Sequence, residues 1–349
     1  MTVLARYLSR MFLVYMAVIS FGMISILGVL DALSNQDLLP RDAVLVDHLR
    51  FMLLRAPLLF ERVFVFAFLF SLLVTYVMII RRNELVGLTA AGLSVMRQIG
   101  LLLPGVLLAS LLSLAFIDQT TPRAQQGLID WLGPEAAISS GSTMDDLWVA
   151  DGNLLVRIRQ VTDENLFDLT LVERLERGQV SAITYADSAV AGPEGWELSG
   201  VSQVRFDDRQ VDPLSNWLSP LSHDTLRLLS MTPRYLSMAD LRDLSNLRGS
   251  GNRPSAAYEV WLYSRLALPV VAIGFLMMTV SIMQIFERNA KPELTLAWGM
   301  GAGILFAVVD SITNSLPENA RLDPAVAALS PVAFLLLVGL ILAMWRTRT

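Results

Sequence analysis

The chain has no cysteine and a single lysine, Lys291, and these shortages exclude several kinds of chemistry. Without thiols there is neither a disulfide framework nor a thiolate metal or redox site. The two histidines, His48 and His223, lie too far apart in the sequence for a zinc-binding His-x-x-x-His helix. No G-x-x-x-x-G-K-[ST] loop and no G-x-S-x-G turn occurs, so neither a phosphate-loop nucleotide site nor a hydrolase nucleophile elbow is predicted. An enzymatic function would have to use carboxylates alone.

Charged residues are also scarce. Of the 349 residues only 17% are charged and 54% are hydrophobic, with a mean hydropathy of +0.53. This composition is typical of a membrane protein, and the net charge of −5 without a basic block gives no indication of nucleic-acid binding. A helix needs roughly 20 apolar residues to cross a bilayer. Six runs of about that length occur, at residues 11–33, 63–80, 100–117, 260–286, 294–312 and 329–345.

The distribution of basic residues predicts the orientation. Arginine and lysine flank the runs at Arg6, Arg10, Arg81, Arg82, Arg97, Arg288, Lys291, Arg346 and Arg348. By the positive-inside rule both termini and the short loops after the second and fourth runs should be cytoplasmic. The arginines between the first and second runs oppose this orientation, but four aspartates surround them. The first run begins too directly for a cleaved signal peptide, so we interpret it as a retained anchor.

The long segment between the third and fourth runs predicts a separate domain outside the cytoplasm. We divide the chain into membrane helices at 1–117, an inserted domain at 118–257 and membrane helices at 258–349. Within the insert, "NLLVRIRQV", "NLFDLTLVERL", "QVSAITYADSAV" and "GWELSGVSQVRF" have strand periodicity and are separated by turn residues. Phe167, Leu169 and Leu171 are expected on one face. Several short strands at this spacing predict a sandwich, jelly roll or open barrel, followed by a helix with Ser237 as its N-cap.

Ionisable residues next to the apolar runs are candidates for function, because such groups are costly at membrane depth. Asp310 either reaches interfacial water near the end of the fifth run or pairs inside the protein. Arg55, Arg62, Arg123 and Arg265 are expected to form a cationic collar if the helices surround a cavity, and bidentate arginines suit phosphate or carboxylate groups. The alternative for each is a separate arginine in solvent or among lipid headgroups.

The stretch "RRNELVGLTAAGLS" between the second and third runs predicts a short amphipathic helix over residues 81–99. Its helically spaced and charged positions are Arg82, Glu84, Leu85, Leu88, Gly92 and Val95. Such a helix either lies on the membrane surface or acts as a coupling helix that docks into a soluble ATPase. A chain with transporter-like spans and no phosphate loop needs such an ATPase as its partner.

At this point the sequence resembles the lipopolysaccharide export permeases, the LptF/LptG or YjgP/YjgQ family. The matching stretches cover nearly the whole chain in order: "RYLSRMFL", "RRNELVGLTAAGLS", "WVADGNLLVRI", "TPRYLSMADLRDL", "YEVWLYSRLALPV", "GAGILFAVVDSI" and "AALSP". The "W-x-A-D-G-N" stretch is more similar to the LptG branch.

The resemblance implies six transmembrane helices, three on each side of a periplasmic β-jellyroll, in a non-catalytic inner-membrane subunit that binds no cofactor. It further implies an LptF-like partner permease, an LptB-like ATPase dimer contacted through Glu84, an LptC-like periplasmic protein, and lipopolysaccharide as the substrate. The sequence departs from the family near the outer end of the first run, where lysines are expected for lipid phosphates. Asp31 stands there, and Arg41 is the only basic residue nearby.

Two other functions remain open from the sequence. One is a subunit of an ABC-type assembly that transmits ATPase motion without carrying lipid. The other is a membrane enzyme or receptor with a sensing β domain, which would be active without any ATPase.

Overall fold

The computed structural model describes residues 2–40, 43–133, 146–162, 165–174, 179–192, 195–206, 215–247, 251, 253–286, 292–315 and 323–347. The chain divides into two compact units. One contains residues 1–133 and 260–349, and the other contains residues 134–259. The boundaries predicted from the sequence lie after residues 117 and 257.

The first unit is helical. Its elements are α1 (Thr2–Ser34), α2 (Leu45–Arg81), α3 (Glu84–Ala90), α4 (Val95–Leu132), most of α7 (Ser255–Phe286), α8 (Pro292–Ser315) and α9 (Pro324–Thr347). Among the described residues, five helices contain a segment long and apolar enough to cross a membrane, namely α1, α2, α4, α7 and α9. The apolar stretch described in α8, Gly299–Thr313, is shorter. Five spans are therefore supported by length and composition, and a sixth remains a prediction.

The helices α2 and α4 are longer than the apolar runs that predict them. The first part of α2 and the last part of α4 pack against each other: the guanidinium of Arg50 lies 4.6 Å from the ring centroid of Trp131. The rings of Phe60 and Phe116 meet edge to face at 5.4 Å. Pro122 lies within α4 without ending it, and the helix continues beyond residue 117, where the third apolar run ends.

Small residues bring the helices close together. At Gly105 of α4, an added Cβ would lie 2.9 Å from the backbone Cα of Ser9 in α1. Gly299 and Gly303 of α8 lie close to the side chains of Leu73 and Leu69 in α2, since small residues let two helices approach closely. Gly301 meets nothing within 4 Å and takes no part in this contact.

The second unit contains one seven-stranded antiparallel sheet. Its strands are β1 (Leu147–Asp151), β2 (Leu154–Val161), β3 (Asn165–Arg174), β4 (Val180–Gly192), β5 (Gly195–Ser199), β6 (Ser202–Arg205) and β7 (Asn216–Trp217). They pair in the order β1-β2-β3-β4-β5-β7, and β6 pairs with the first part of β4. Two helices follow, α5 (His223–Ser230) and α6 (Met238–Asn246). The antiparallel sheet confirms the predicted strands, and the jellyroll remains a proposal.

Two details of the sheet differ from the sequence prediction. Gly200, at a φ of 68°, divides "GWELSGVSQVRF" into β5 and β6, because a left-handed residue interrupts a strand. Asp168 has a φ of 52°, and the buried side of β3 changes there. Leu169 and Leu171 are buried as expected, but the next buried residue is Leu166, and Phe167 is 39% exposed. The prediction that Phe167 shares their face was wrong.

The N-cap predicted for the helix after the sheet is confirmed. The hydroxyl of Ser237 accepts a hydrogen bond from the Asp240 backbone N–H, and the Asp240 carboxylate accepts one from the Ser237 N–H. This reciprocal capping box satisfies two donors at the start of α6. Leu241 and Leu244 are buried on one side of the helix.

Candidate functional site

The candidate coupling segment is a two-turn helix, shorter than the predicted one. The helix α3 contains only seven residues, and the predicted continuous helix over 81–99 was wrong. The chain has to reverse between α2 and α4, and two residues with left-handed backbone make this possible. Asn83 precedes α3 at a φ of 56°, and Gly92 follows it at 74°. Glycine adopts this conformation without strain, and asparagine is among the residues that tolerate it best.

The helix α3 is attached to the helical core on one side and open on the other. Leu85 is 1% exposed and Leu88 is half-buried, and both pack in the main hydrophobic cluster. Val86 is 59% exposed, and a Cβ added at Gly87 or Gly92 would meet nothing within 4 Å. The outer surface of α3 therefore has small side chains and no covering neighbour among the described residues, which allows another chain to approach closely.

Glu84, the first residue of α3, is linked to the start of α1. The Tyr7 hydroxyl donates a hydrogen bond of 2.9 Å to Oε1 of Glu84 and accepts one of 3.2 Å from the guanidinium of Arg82. The hydrogen bond with Tyr7 is the largest cause that raises the pKa of Arg82 above its ordinary value. Arg82 and Glu84 are 3.9 Å apart, at the outer limit of an ion pair. The tyrosine hydroxyl thus bridges the two charged groups.

A buried ion pair joins α1 to α2. The Nε and Nη2 atoms of Arg55 donate to the two carboxylate oxygens of Asp31 at 2.7 and 2.8 Å. The side chain of Arg55 is 2% exposed and that of Asp31 is 13% exposed. Two charge-assisted bonds of this kind are stronger than neutral hydrogen bonds, and the bidentate geometry fixes the orientation of both groups.

A second buried arginine lies among three helices. The guanidinium of Arg265 in α7 is 3.8 Å from carboxylate oxygens of both Glu61 in α2 and Asp118 in α4. Its side chain is 3% exposed. The charge of Arg265 is therefore balanced by carboxylates of two neighbouring helices inside the helical unit.

Comparisons with known proteins agree with the geometry and the motifs. A family model described as lipopolysaccharide export system permease LptF/LptG matches residues 6–345. The chain belongs to the LptF/LptG family. The lipopolysaccharide export system permease protein LptG of Escherichia coli strain K12 is 25% identical over 359 residues, covering 99% of this chain and 99% of that protein. The LptG of Haemophilus influenzae is 25% identical over 224 residues, covering 60% of this chain and 62% of its own length.

Membership of the LptF/LptG family confirms the resemblance seen in the sequence motifs, including the preference for LptG. The relatives are named permeases of lipopolysaccharide export, which is a transport function. Together with five long apolar helices, this fits a multi-pass protein of the inner membrane. Among the described residues, no group of three histidine, aspartate or glutamate side chains is placed to hold a metal ion.

The structure separates the predicted substrate arginines of this family member into two groups. Arg55 and Arg265 are buried in the ion pairs described above, whereas Arg62 of α2 and Arg123 of α4 are exposed. Arg41 lies outside the described residues. Buried and exposed arginines differ in what they can bind, because a buried arginine must exchange a carboxylate for any new anion.

Asp310 lies in α8 and is half-buried. Its backbone carbonyl accepts a hydrogen bond of 3.1 Å from the Thr313 hydroxyl, which also donates to the carbonyl of Val309. The contact between Asp310 and Thr313 therefore involves the backbone carbonyl of Asp310.

Sequence reasoning missed the partners of the charged residues. Tyr7 lies 77 residues before Glu84, and no local spacing connects them. In the sequence Asp31 stands out only as a departure from the family, although its carboxylate forms a buried ion pair with Arg55. The available signal was indirect: an arginine in an apolar helix requires a counter-charge, and the few carboxylates in neighbouring helices were the candidates.

Proposed function

We propose that the chain is the LptG-like permease subunit of an ABC transporter that extracts lipopolysaccharide from the inner membrane and passes it to a periplasmic bridge. It acts with an LptF-like permease, an LptB-like ATPase dimer and an LptC-like periplasmic protein. Both termini lie in the cytoplasm, the chain spans the membrane six times, and the β unit is a periplasmic jellyroll. The chain itself hydrolyses no ATP.

The observation that carries this proposal is the open surface of α3 in a chain matched along its length by the permease family. The coupling contact is formed by Arg82, Glu84, Leu85, Leu88 and Gly92. Buried Leu85 attaches α3 to the core, while the carboxylate of Glu84 is available to a basic group of the ATPase. Since α3 connects α2 and α4, movement of the docked ATPase is transferred to two membrane helices at once.

The lipid headgroup is recognised by arginines that face the transport cavity. The candidates are Arg41, Arg55, Arg62, Arg123 and Arg265. Exposed Arg62 and Arg123 can bind a phosphate or carboxylate directly, and bidentate geometry favours both ligands. Arg55 and Arg265 require that their carboxylate partners be displaced, so they contribute only in a conformation that separates the paired helices.

The test is to purify the tagged chain from its own membranes and measure lipopolysaccharide-stimulated ATP hydrolysis by the assembly. We expect an ATPase and a second permease to co-purify, and Glu84→Ala to remove the ATPase. Asp130→Asn is the matched control, because Asp130 is an exposed carboxylate near the far end of α4, about 50 Å along the helix from α3. Retention of the ATPase by Glu84→Ala would contradict the proposed contact.

A lipid-free transmission subunit predicts a different result. In that case the ATPase co-purifies, but lipopolysaccharide neither stimulates hydrolysis nor crosslinks to Arg62 or Arg123. Photocrosslinking from these two positions distinguishes the two functions in the same preparation. A receptor or enzyme would be active with no ATPase bound.

A further inference from the structure

Two motifs that are far apart in the sequence meet through one hydroxyl group. "RYLSRMFL" begins α1, and "RRNELVGL" ends α2 and forms α3. The hydroxyl of Tyr7 in the first motif donates to Glu84 and accepts from Arg82 in the second. The ATPase contact proposed above accounts for the second motif and leaves Tyr7 without a role.

The hydrogen bond between Tyr7 and Glu84 joins α1 to α3 with a defined geometry. The helix α3 is held to the core through the apolar side chains of Leu85 and Leu88, and apolar contacts do not specify direction. The seven-residue helix lies between Asn83 and Gly92, both with left-handed backbone, so it is joined to α2 and α4 through turns and does not continue either helix. The hydrogen bond from Tyr7 to Glu84, at 2.9 Å, fixes the first turn of α3 to a defined point on α1.

The other end of the link is rigid. Leu8 and Phe12 follow Tyr7 on α1 and are 2% and 0% exposed, and Phe12 packs edge to face on Phe68 of α2 at 5.3 Å. Ser9 contacts Gly105 of α4 at backbone distance. Because α1 is closely packed next to Tyr7, a displacement of Tyr7 is transmitted to the α1 backbone.

We infer that Tyr7 is a positioning residue that ties α3 to α1, so that movement of α3 by the docked ATPase is passed to the first membrane helix. This inference rests on the proposed function, which supplies the ATPase. Tyr7 does not contact the ATPase or the lipid. It sets how much of the movement of α3 reaches α1.

Two substitutions separate this link from the charge of Glu84. Tyr7→Phe removes the hydroxyl and leaves the carboxylate of Glu84 for the ATPase. Glu84→Gln removes the charge, but its amide oxygen still accepts from the Tyr7 hydroxyl. Tyr15→Phe is the matched control, because Tyr15 lies two turns further along α1 and does not hydrogen-bond to Glu84.

The first measurement is the amount of lipopolysaccharide released per ATP hydrolysed by the assembly in lipid nanodiscs. We expect Tyr7→Phe to retain the ATPase and lose about threefold in lipid released per ATP, since a half-exposed hydrogen bond contributes at the low end of the usual range. Glu84→Gln should instead weaken ATPase binding. If Tyr7→Phe releases as much lipopolysaccharide per ATP hydrolysed as Tyr15→Phe does, the inference is overturned.

The second measurement follows α3 directly. Because the chain has no cysteine, Val3→Cys on α1 and Val86→Cys on α3 give two unique and exposed sites for spin labels. We expect a narrow distance distribution in the parent and a broad one in Tyr7→Phe. If Tyr7→Phe assembles poorly, Glu84→Leu, which cannot accept the bond, must give the same broadening, and an unchanged distribution overturns the link.

The outcomes also separate this inference from the proposed function. An ATPase missing from the parent preparation contradicts the proposed function. An ATPase present in the parent, with distances and lipid release unaltered by Tyr7→Phe, contradicts the role of Tyr7 alone.

Discussion

Removing either partner of the Asp31–Arg55 ion pair should destabilise the helical unit, and removing both should not. Arg55 is 2% exposed and bonds Asp31 through two nitrogen atoms. We consider Asp31→Leu, Arg55→Met and the double variant, because these replacements keep side-chain volume and remove charge. Asp31→Leu deletes the two bonds that the Asp31 carboxylate accepts from the guanidinium at this buried position.

The expected magnitudes follow from this burial. Breaking a buried pair by removing one partner costs about 3–5 kcal/mol, and replacing both partners by apolar residues is close to neutral. We expect about 3 kcal/mol for Asp31→Leu. Arg55→Met should cost about 2 kcal/mol, because Asp31 is 13% exposed and retains some contact with solvent. The double variant should cost about 1 kcal/mol or less, which leaves a coupling energy of about 4 kcal/mol.

The assay is a double-mutant cycle on reversible unfolding of the purified chain in mixed micelles, with its seven tryptophans as the fluorescence probe. Exposed Arg62→Met is the control, because it removes an arginine from the same helix without breaking a buried pair. Additive effects of Asp31→Leu and Arg55→Met would refute the reasoning, since independent residues have no coupling energy.

Two further predictions concern packing. Gly105→Ala should destabilise the helical unit by about 1–3 kcal/mol in the same unfolding assay, because the new methyl group meets the backbone of Ser9. Gly100→Ala is the control and should be neutral or slightly stabilising, because a Cβ added there meets nothing within 4 Å. In the β unit, Trp217→Phe should lower the free energy of unfolding by about 1–3 kcal/mol, because it removes the 3.1 Å hydrogen bond from the indole N–H to Asp151. Amide hydrogen exchange in β1 and β7 should become faster, and unchanged exchange in both strands would contradict this.

The elements that the sequence predicts correctly are those with a local signal. The apolar runs predict α1, α2, α4, α7 and α9 because a lipid-facing helix has to be apolar on every side. The strand period predicts β2 and β4, and the serine before "MADLRDL" predicts the capping box of α6. Each of these signals lies within one continuous stretch of the sequence.

The misses come from features that require distant residues. The extension of α4 past residue 117 depends on its contacts with the start of α2, including Arg50 on Trp131. The short length of α3 depends on how α2 and α4 are placed, because the reversal between them limits the chain to two helical turns. The change of face at Asp168 depends on a left-handed backbone conformation that asparagine and aspartate tolerate but do not require.

Burial determines which charged residues of this permease can change partners during a transport cycle. Arg55 and Arg265 are paired at 2–3% exposure, so separating them from their carboxylates would leave charges in an apolar interior at a cost of several kcal/mol each. These pairs therefore fasten α1, α2, α4 and α7 to one another. Arg82 is exposed and Glu84 is half-buried, so water can replace a lost partner there at lower cost than in the core. An ATPase can thus pair with the carboxylate of Glu84, whose Oε1 atom keeps its bond to Tyr7, without disturbing the core, and α3 can move before any buried pair has to open.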